Sequence, residues 1–194
     1  MNRLIPATTL KYSESIRNSA FDAISPVLEA TGGLTLSQLS NLTGLEGSTI
    51  QNWIKRGWVP STKGKKYSER QILRILLINM LRGAMKLENI IKLMTYINGD
   101  VEDTSDDIIE ETLLYNSLCR IIFTVEEESA FDTNSVRNLV AREIENAADS
   151  IKDEHKLKKA MFVMVMAYRS ACIKSEMEET LADILGEMEN SANA

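Results

Sequence analysis

The sequence predicts an all-α, mainly helical chain with a small β-hairpin wing and a C-terminal helical bundle, and three observations predict it. In 194 residues, 44% are hydrophobic and only 6% aromatic, with three prolines and nine glycines. That is enough apolar material for a real core, in a composition that reads as helical. From Ser68 to the end of the chain, apolar residues recur at helical spacing. Between Leu34 and Ile97 two short amphipathic segments are separated by Gly44 and followed by Gly57, Pro60 and a basic turn, the order helix, turn, helix, wing. Three parts are expected: an N-terminal helical arm over 1–33, a winged helix-turn-helix over 34–98, and an acidic helical domain over 99–194 for dimerisation or regulation.

In chain order, Ser13 to Ala30 reads as an amphipathic helix with Ile16, Ala20, Ile24, Val27 and Leu28 on one side, kinked or split by Pro26 and ended by Thr31-Gly32-Gly33. A helix this short cannot stabilise itself, so the arm is expected to pack on a neighbouring domain or a second subunit. Leu36, Leu39 and Leu42 form the inner stripe of the first module helix. Thr35 suits its N-cap, Gly44 a left-handed stop, and Leu45 a packing contact behind it. The second helix, 48–56, begins at Ser48 or Thr49 and turns Ile50, Trp53 and Ile54 inward. Its other face keeps Gln51, Asn52, Lys55 and Arg56, polar and basic as a surface that reads a DNA groove must be. After the stop at Gly57, the wing 61–67 is expected to be two extended pieces around a Gly-containing turn, carrying Lys63, Lys65, Lys66 and Tyr67 toward phosphates.

The ordered run LTLSQLSNLTGL, STIQNWIKRGWVP, a basic wing, KYSERQILRILLINMLR, Gly83 and LENIIKLM resembles the DNA-binding module of the MerR family of bacterial transcription regulators, over about one third of the chain. It is more closely similar to a family of uncharacterised bacterial proteins that carry a MerR-like module and are known only as a domain of unknown function. There too a segment like Ile50-Gln51-Asn52-Trp53-Ile54-Lys55 precedes a wing ending in Lys-Lys-Tyr-Ser. The resemblance implies a winged helix-turn-helix. The chain also departs from the MerR pattern. Gln51, Asn52 and Trp53 stand where many MerR proteins have an arginine followed by aromatics, 33 residues precede the module, and no single long dimerisation helix is expected to follow it.

Beyond the wing, Ser68 with Arg70 and Gln71 starts a helix whose apolar residues are too dense for an exposed surface, so it must be buried on several sides. Gly83 breaks it, and Leu87, Ile90, Ile91 and Met94 form the next stripe. Asn98 to Asp103 reads as a linker, and Thr104 or Ser105 as the cap of a helix bearing Ile108, Ile109, Leu113, Leu114, Leu118, Ile121 and Ile122. Further helices are expected over Ser135 to Ile151, His155 to Lys174 and Glu176 to Met188, with a frayed tail from Asn190.

Charge is unevenly placed. Residues 34–97 carry 10 Lys and Arg against 3 acidic residues, a net of +7, whereas 98–194 carry 9 against 22, a net of -13, within a chain of net -6. A basic module on an acidic body fits a nucleic-acid binder; the plain alternative is two solvated surfaces.

Other classes are expected less. The lone His155 sits among Asp153, Glu154, Lys156 and Lys158 on a wet helix start, no phosphate-binding or dinucleotide-binding glycine loop is present, and no catalytic residue is assigned. Glu126-Glu127-Glu128 lacks the organised glycine turn of a calcium loop, so neither a metal nor a cofactor is assigned. Cys119 and Cys172 could meet and sense, but at such helix positions they read as small core residues. The nine methionines with Phe162 and Tyr168 admit a pocket for a small-molecule effector, though adaptable core filling is the simpler reading. The start of the chain lacks the apolar core of a signal peptide, and the apolar run Met161 to Tyr168 is too short to span a bilayer, so a cytoplasmic chain with no membrane role is expected. Two functional readings remain: a homodimeric transcription regulator binding double-stranded DNA through 48–56 and 61–67, or a protein-interaction module that keeps the winged fold without binding DNA.

Overall fold

Eight α-helices, one pair of two-residue strands and three short 3-10 turns make up the described residues, 3–62 and 64–192, of the computed structural model. In chain order they are α1 (Ser25–Thr31), β1 (Leu34–Thr35), α2 (Leu36–Thr43), α3 (Gly47–Lys55), β2 (Lys66–Tyr67), α4 (Glu69–Leu81), α5 (Leu87–Asn98), α6 (Glu111–Glu127), α7 (Thr133–Asn146) and α8 (Glu154–Ala192).

Local chemistry sets the module. Thr35 caps α2 through a capping box with Gln38, satisfying two amides that the first helical turn leaves free. Gly44 ends α2 at φ 70°, and Gly57 follows α3 at φ 71°, a left-handed conformation that costs glycine nothing. A small antiparallel pair is present, but it is not the hairpin expected within 61–67. Its returning limb, β2, takes its partner from just ahead of α2, with Leu34 opposite Tyr67 and Thr35 opposite Lys66. Residues 66–67 are thereby tied to the start of α2. Gly33 makes that approach possible, since a Cβ there would lie 2.5 Å from the Tyr67 carbonyl oxygen.

Helix α4 is the centre of the molecule. A capping box of Ser68 and Gln71 starts it, and ten of its thirteen residues are buried, as their apolar density requires. It packs against α2, α5, α6 and α8. Two of the ten are polar. Arg74 lies wholly inside, with Nη1 donating to Glu111 Oε1 at 2.8 Å and Nε to the Trp58 carbonyl at 3.3 Å. Core side chains run from Ile5 to Ala167 in one cluster that includes all three parts of the chain.

The arm differs from expectation. Residues 13–24 form the 3-10 turns Glu14–Ile16 and Ala20–Ala23, and Pro26 opens α1 instead of kinking a longer helix. Proline belongs in a first turn, where its missing N–H costs no hydrogen bond. The arm's packing partner is its own chain. The Phe21 amide donates to Asn116 Oδ1 at 3.0 Å, the Tyr115 hydroxyl to the Pro6 carbonyl at 2.8 Å, and the Thr9 amide to the last turn of α2 at Leu42, also 2.8 Å. Arg3 and Arg17 hold Glu126 and Glu127, and Arg142 faces Glu128, so the acidic triplet is paired with arginines.

Two boundaries also move. No helix starts at Thr104 or Ser105; the loop runs to Glu110 and buries Ile108 and Ile109 from an irregular backbone. Asn98 clamps that backbone, donating to the Ile109 carbonyl at 2.7 Å and accepting from its amide at 3.4 Å, while the Lys152 amide takes the Ile108 carbonyl at 3.0 Å. Near the C-terminus, the helices expected over His155 to Lys174 and Glu176 to Met188 are one 39-residue helix that reaches Ala192, and Asn190 is still helical. Nothing at Ser175 breaks it, and the Ser175 hydroxyl reaches forward to Glu179 at 3.1 Å. Asp132 caps α7 by accepting from the amides of Asn134 and Ser135. Where α8 passes the turn after α4, a Cβ on Gly83 would lie 2.7 Å from Ala171 Cβ, so glycine permits the crossing. Among the described residues no helix is long and apolar enough to cross a membrane.

The Arg74–Glu111 pair yields a direct test. Arg74→Met leaves a buried carboxylate without its cation and should cost about 3–5 kcal/mol in urea unfolding. The double variant Arg74→Met/Glu111→Leu should recover most of that loss; equal loss in both would mean that the pair is not what holds α6 to α4.

Candidate nucleic-acid interface

Helix α3 divides its residues cleanly. Ile50 and Trp53 are buried at 0% and 1% exposure, Ile54 is half-buried, and Gln51, Asn52, Lys55 and Arg56 are exposed. The helix begins one residue earlier than expected, at Gly47, with Glu46 in the cap position and no side-chain cap. Ser48 and Thr49 therefore lie in the first turn, Ser48 exposed and Thr49 half-buried. At the helix stop, the Arg56 guanidinium lies over the Trp58 ring, 4.9 Å from its centre, which holds a cation at the edge of the exposed face.

Beside this face stands the wing. Lys65 and Lys66 are exposed, and the Lys66 ammonium donates to the Thr31 carbonyl. Lys63 lies outside the described residues. A shallow cleft lined by Leu36, Gln51, Ile54, Thr62 and Lys65 separates the wing from α3. Tyr67 is buried at the floor of that cleft, its backbone is paired with Leu34, and burial pushes its hydroxyl pKa up, so most of its ring packs in the core under the wing.

The frame that aims the wing was missed in the sequence. The Gln71 amide donates to the Pro60 carbonyl and to the Thr62 hydroxyl, both at 3.0 Å, while its oxygen accepts from the Ser68 amide at 2.8 Å. Arg74 holds the Trp58 carbonyl, and the Ser61 amide donates to Glu102 at 2.8 Å. Ser68-Glu69-Arg70-Gln71 has the capping-box spacing, and Arg74 is a charge inside an apolar run. Those are the signals that could have marked both residues. Chemically, the face offers two side-chain amides able to donate and accept together, flanked by cations.

Other titratable groups lie apart. Cys119 is buried, and burial pushes its thiol far up, which keeps it neutral and unreactive; Cys172 and His155 are exposed. Next to the Arg74–Glu111 pair, Asp107 has a buried Oδ1 without a partner, and Glu111 Oε2 is likewise unpaired. Burial, followed by the charge of Glu111, raises Asp107 to about 6, with Arg70 and Arg74 opposing and Asp106 adding.

Residues 24–118 match the family model described as a domain of unknown function, DUF1836. That span runs from the start of α1 into α6 and includes α3, the wing, Arg74 and Glu111. The chain is also similar to an uncharacterised protein of Bacillus subtilis (strain 168), YkrK, 24% identical over 161 residues that cover 77% of this chain and 69% of the relative. No solved structure matches.

Two outcomes follow from this geometry. Trp53→Ala should cost about 3–5 kcal/mol of stability, as for any large buried aromatic, measured by chemical denaturation; an unchanged midpoint would place Trp53 on the outer face. Asp107 carries a folded-state pKa above its unfolded value, so its contribution is fully present below about pH 4 and is lost as pH rises through about 6. Asp107→Asn should accordingly raise the melting temperature at pH 7 and leave it nearly unchanged at pH 4; a gain of equal size at both values contradicts the assignment.

Proposed function

We propose that the chain is a sequence-specific DNA-binding regulator that lays α3 in the major groove, rests its lysine-tipped wing on flanking phosphates, and acts in the cytoplasm as a homodimer. One observation carries this reading: Gln51, Asn52, Lys55 and Arg56 are exposed together on one helix face, beside Lys65 and Lys66, on a frame braced from within by Gln71 and Arg74. Side-chain amides match the paired donor and acceptor edge of adenine, and lysines displace counterions from phosphates without reading sequence. The acidic remainder of the chain, net -13 over residues 98–194, is repelled by a duplex and favours approach through the basic module. A single short helix covers few base pairs, which is why such modules usually act on paired half-sites.

Fluorescence anisotropy over a salt series, with a preferred duplex and a scrambled one, separates the roles. Lys65→Ala/Lys66→Ala should weaken binding to both duplexes alike and flatten the log-log salt slope by roughly 0.9 per lost contact. Gln51→Ala or Asn52→Ala should reduce discrimination by about 1–3 kcal/mol and leave the slope nearly intact. Absence of binding to any duplex at low salt would move the reading to a module that docks an acidic protein.

A further inference from the structure

Helix α8 is longer than the body it packs against. Its first half buries Leu157, Met161, Met164 and Val165, whereas Ile173, Met177, Leu181, Ile184, Leu185 and Met188 are each between 48% and 63% exposed. At 100° per residue these six fall on one stripe about 120° wide, and Met177, Leu181, Ile184 and Met188 follow the 4-3-4 spacing of a coiled-coil seam. A helical segment of this length has little stability of its own in water. Its acidic residues worsen the position, because the C-terminal end of a helix favours cations and the last turn of α8 has none.

We propose that two copies of this chain pair antiparallel through residues 173–188 of α8. Three features select this occupant and this direction. The stripe reads the same from either end about Leu181: antiparallel pairing sets Ile173 against Met188 of the second copy, Met177 against Ile184 and Leu185, and Leu181 against itself. The helix is polarised in charge. Residues 154–174 hold five Lys and Arg and one acidic residue, while 175–192 hold six acidic residues and no Lys or Arg. Parallel pairing would lay every acidic residue beside its own counterpart, whereas the antiparallel register moves Glu187 and Glu189 of each copy beside Lys174 of the other. Finally, an apolar groove where residues 173–188 begin, lined by Leu4, Phe123, Phe131, Tyr168 and Ile173, lies where the other copy's Met188 end arrives. Leu4 and Phe131 are themselves among the exposed large hydrophobic residues.

This pairing deepens the dimeric part of the proposed function and rests on that reading only for its purpose. It is tested without DNA, so either can fail alone. Light scattering behind size exclusion should give about twice the chain mass of 21.8 kDa. Leu181→Asp/Ile184→Asp, at half-exposed positions outside the core cluster, should give the single-chain mass with the body's thermal transition retained. In a Cys172→Ser background, Met177→Cys/Ile184→Cys should cross-link between chains under mild oxidation, and Met177→Cys alone should not. A wild-type monomer at about 100 µM, well above the micromolar range of ordinary association, overturns the proposal. So does a dimer that survives the two aspartates, or ready cross-linking of the Met177→Cys single variant, which would mean a parallel pair.

Discussion

A guanidinium cannot be deprotonated at any ordinary pH, so wherever the fold buries one it must also bury what neutralises it. Arg74 is that group here. It lies midway along a helix enclosed on nearly every side and spends its donors on the Glu111 carboxylate and the Trp58 carbonyl. Those partners belong to different parts of the chain, the first turn of α6 and the segment that leads from α3 into the wing. One side chain therefore links the helical remainder to the element whose position matters most for the exposed face. Glu111 is itself pushed up by burial and pulled down by Arg74, so the pair holds its charges only because the two lie together.

From that link follows the distribution of rigid and free surface. Gln71, three residues before Arg74, fixes Pro60 and Thr62, while Asn79, five residues beyond it, ties Ala7 to Thr43 at the end of α2 with two bonds of 3.0 Å. Gln71, Arg74 and Asn79 of α4 thus reach the wing, the exit of α3 and the N-terminal arm in turn. What remains outside is the face of α3 with the lysines of β2 and its loop, and the far half of α8. The first is basic and polar, the second apolar and acidic. A basic face on α3 and an exposed apolar stripe on α8 are two separate features of the same molecule.

Local signals in the sequence were legible where local chemistry decides the outcome. Thr35, Gly44 and Gly57 act at caps and stops through their own backbone preferences, and Ile50 and Trp53 face inward by helical period alone. Helices α2 and α3 and the outward face of α3 could therefore be read directly. The misplaced features depend on partners distant in sequence. Tyr67 is buried because its strand pairs with Leu34, more than thirty residues upstream, and Ile108 and Ile109 sit in a loop because Asn98 and Lys152 take their backbone groups. The interruption expected between Lys174 and Glu176 has no glycine or proline to enforce it. Gln71 was visible only as a helix start, since its second role is bonding to a segment that periodicity does not describe.

Hydrogen–deuterium exchange of the full chain, with and without an excess of mixed duplex DNA at low salt, shows whether α3 and the wing meet DNA. Exchange should slow over residues 47–57 and 61–67, with α6 and α7 unchanged. Slowing confined to the acidic helices, or none anywhere, would contradict that contact.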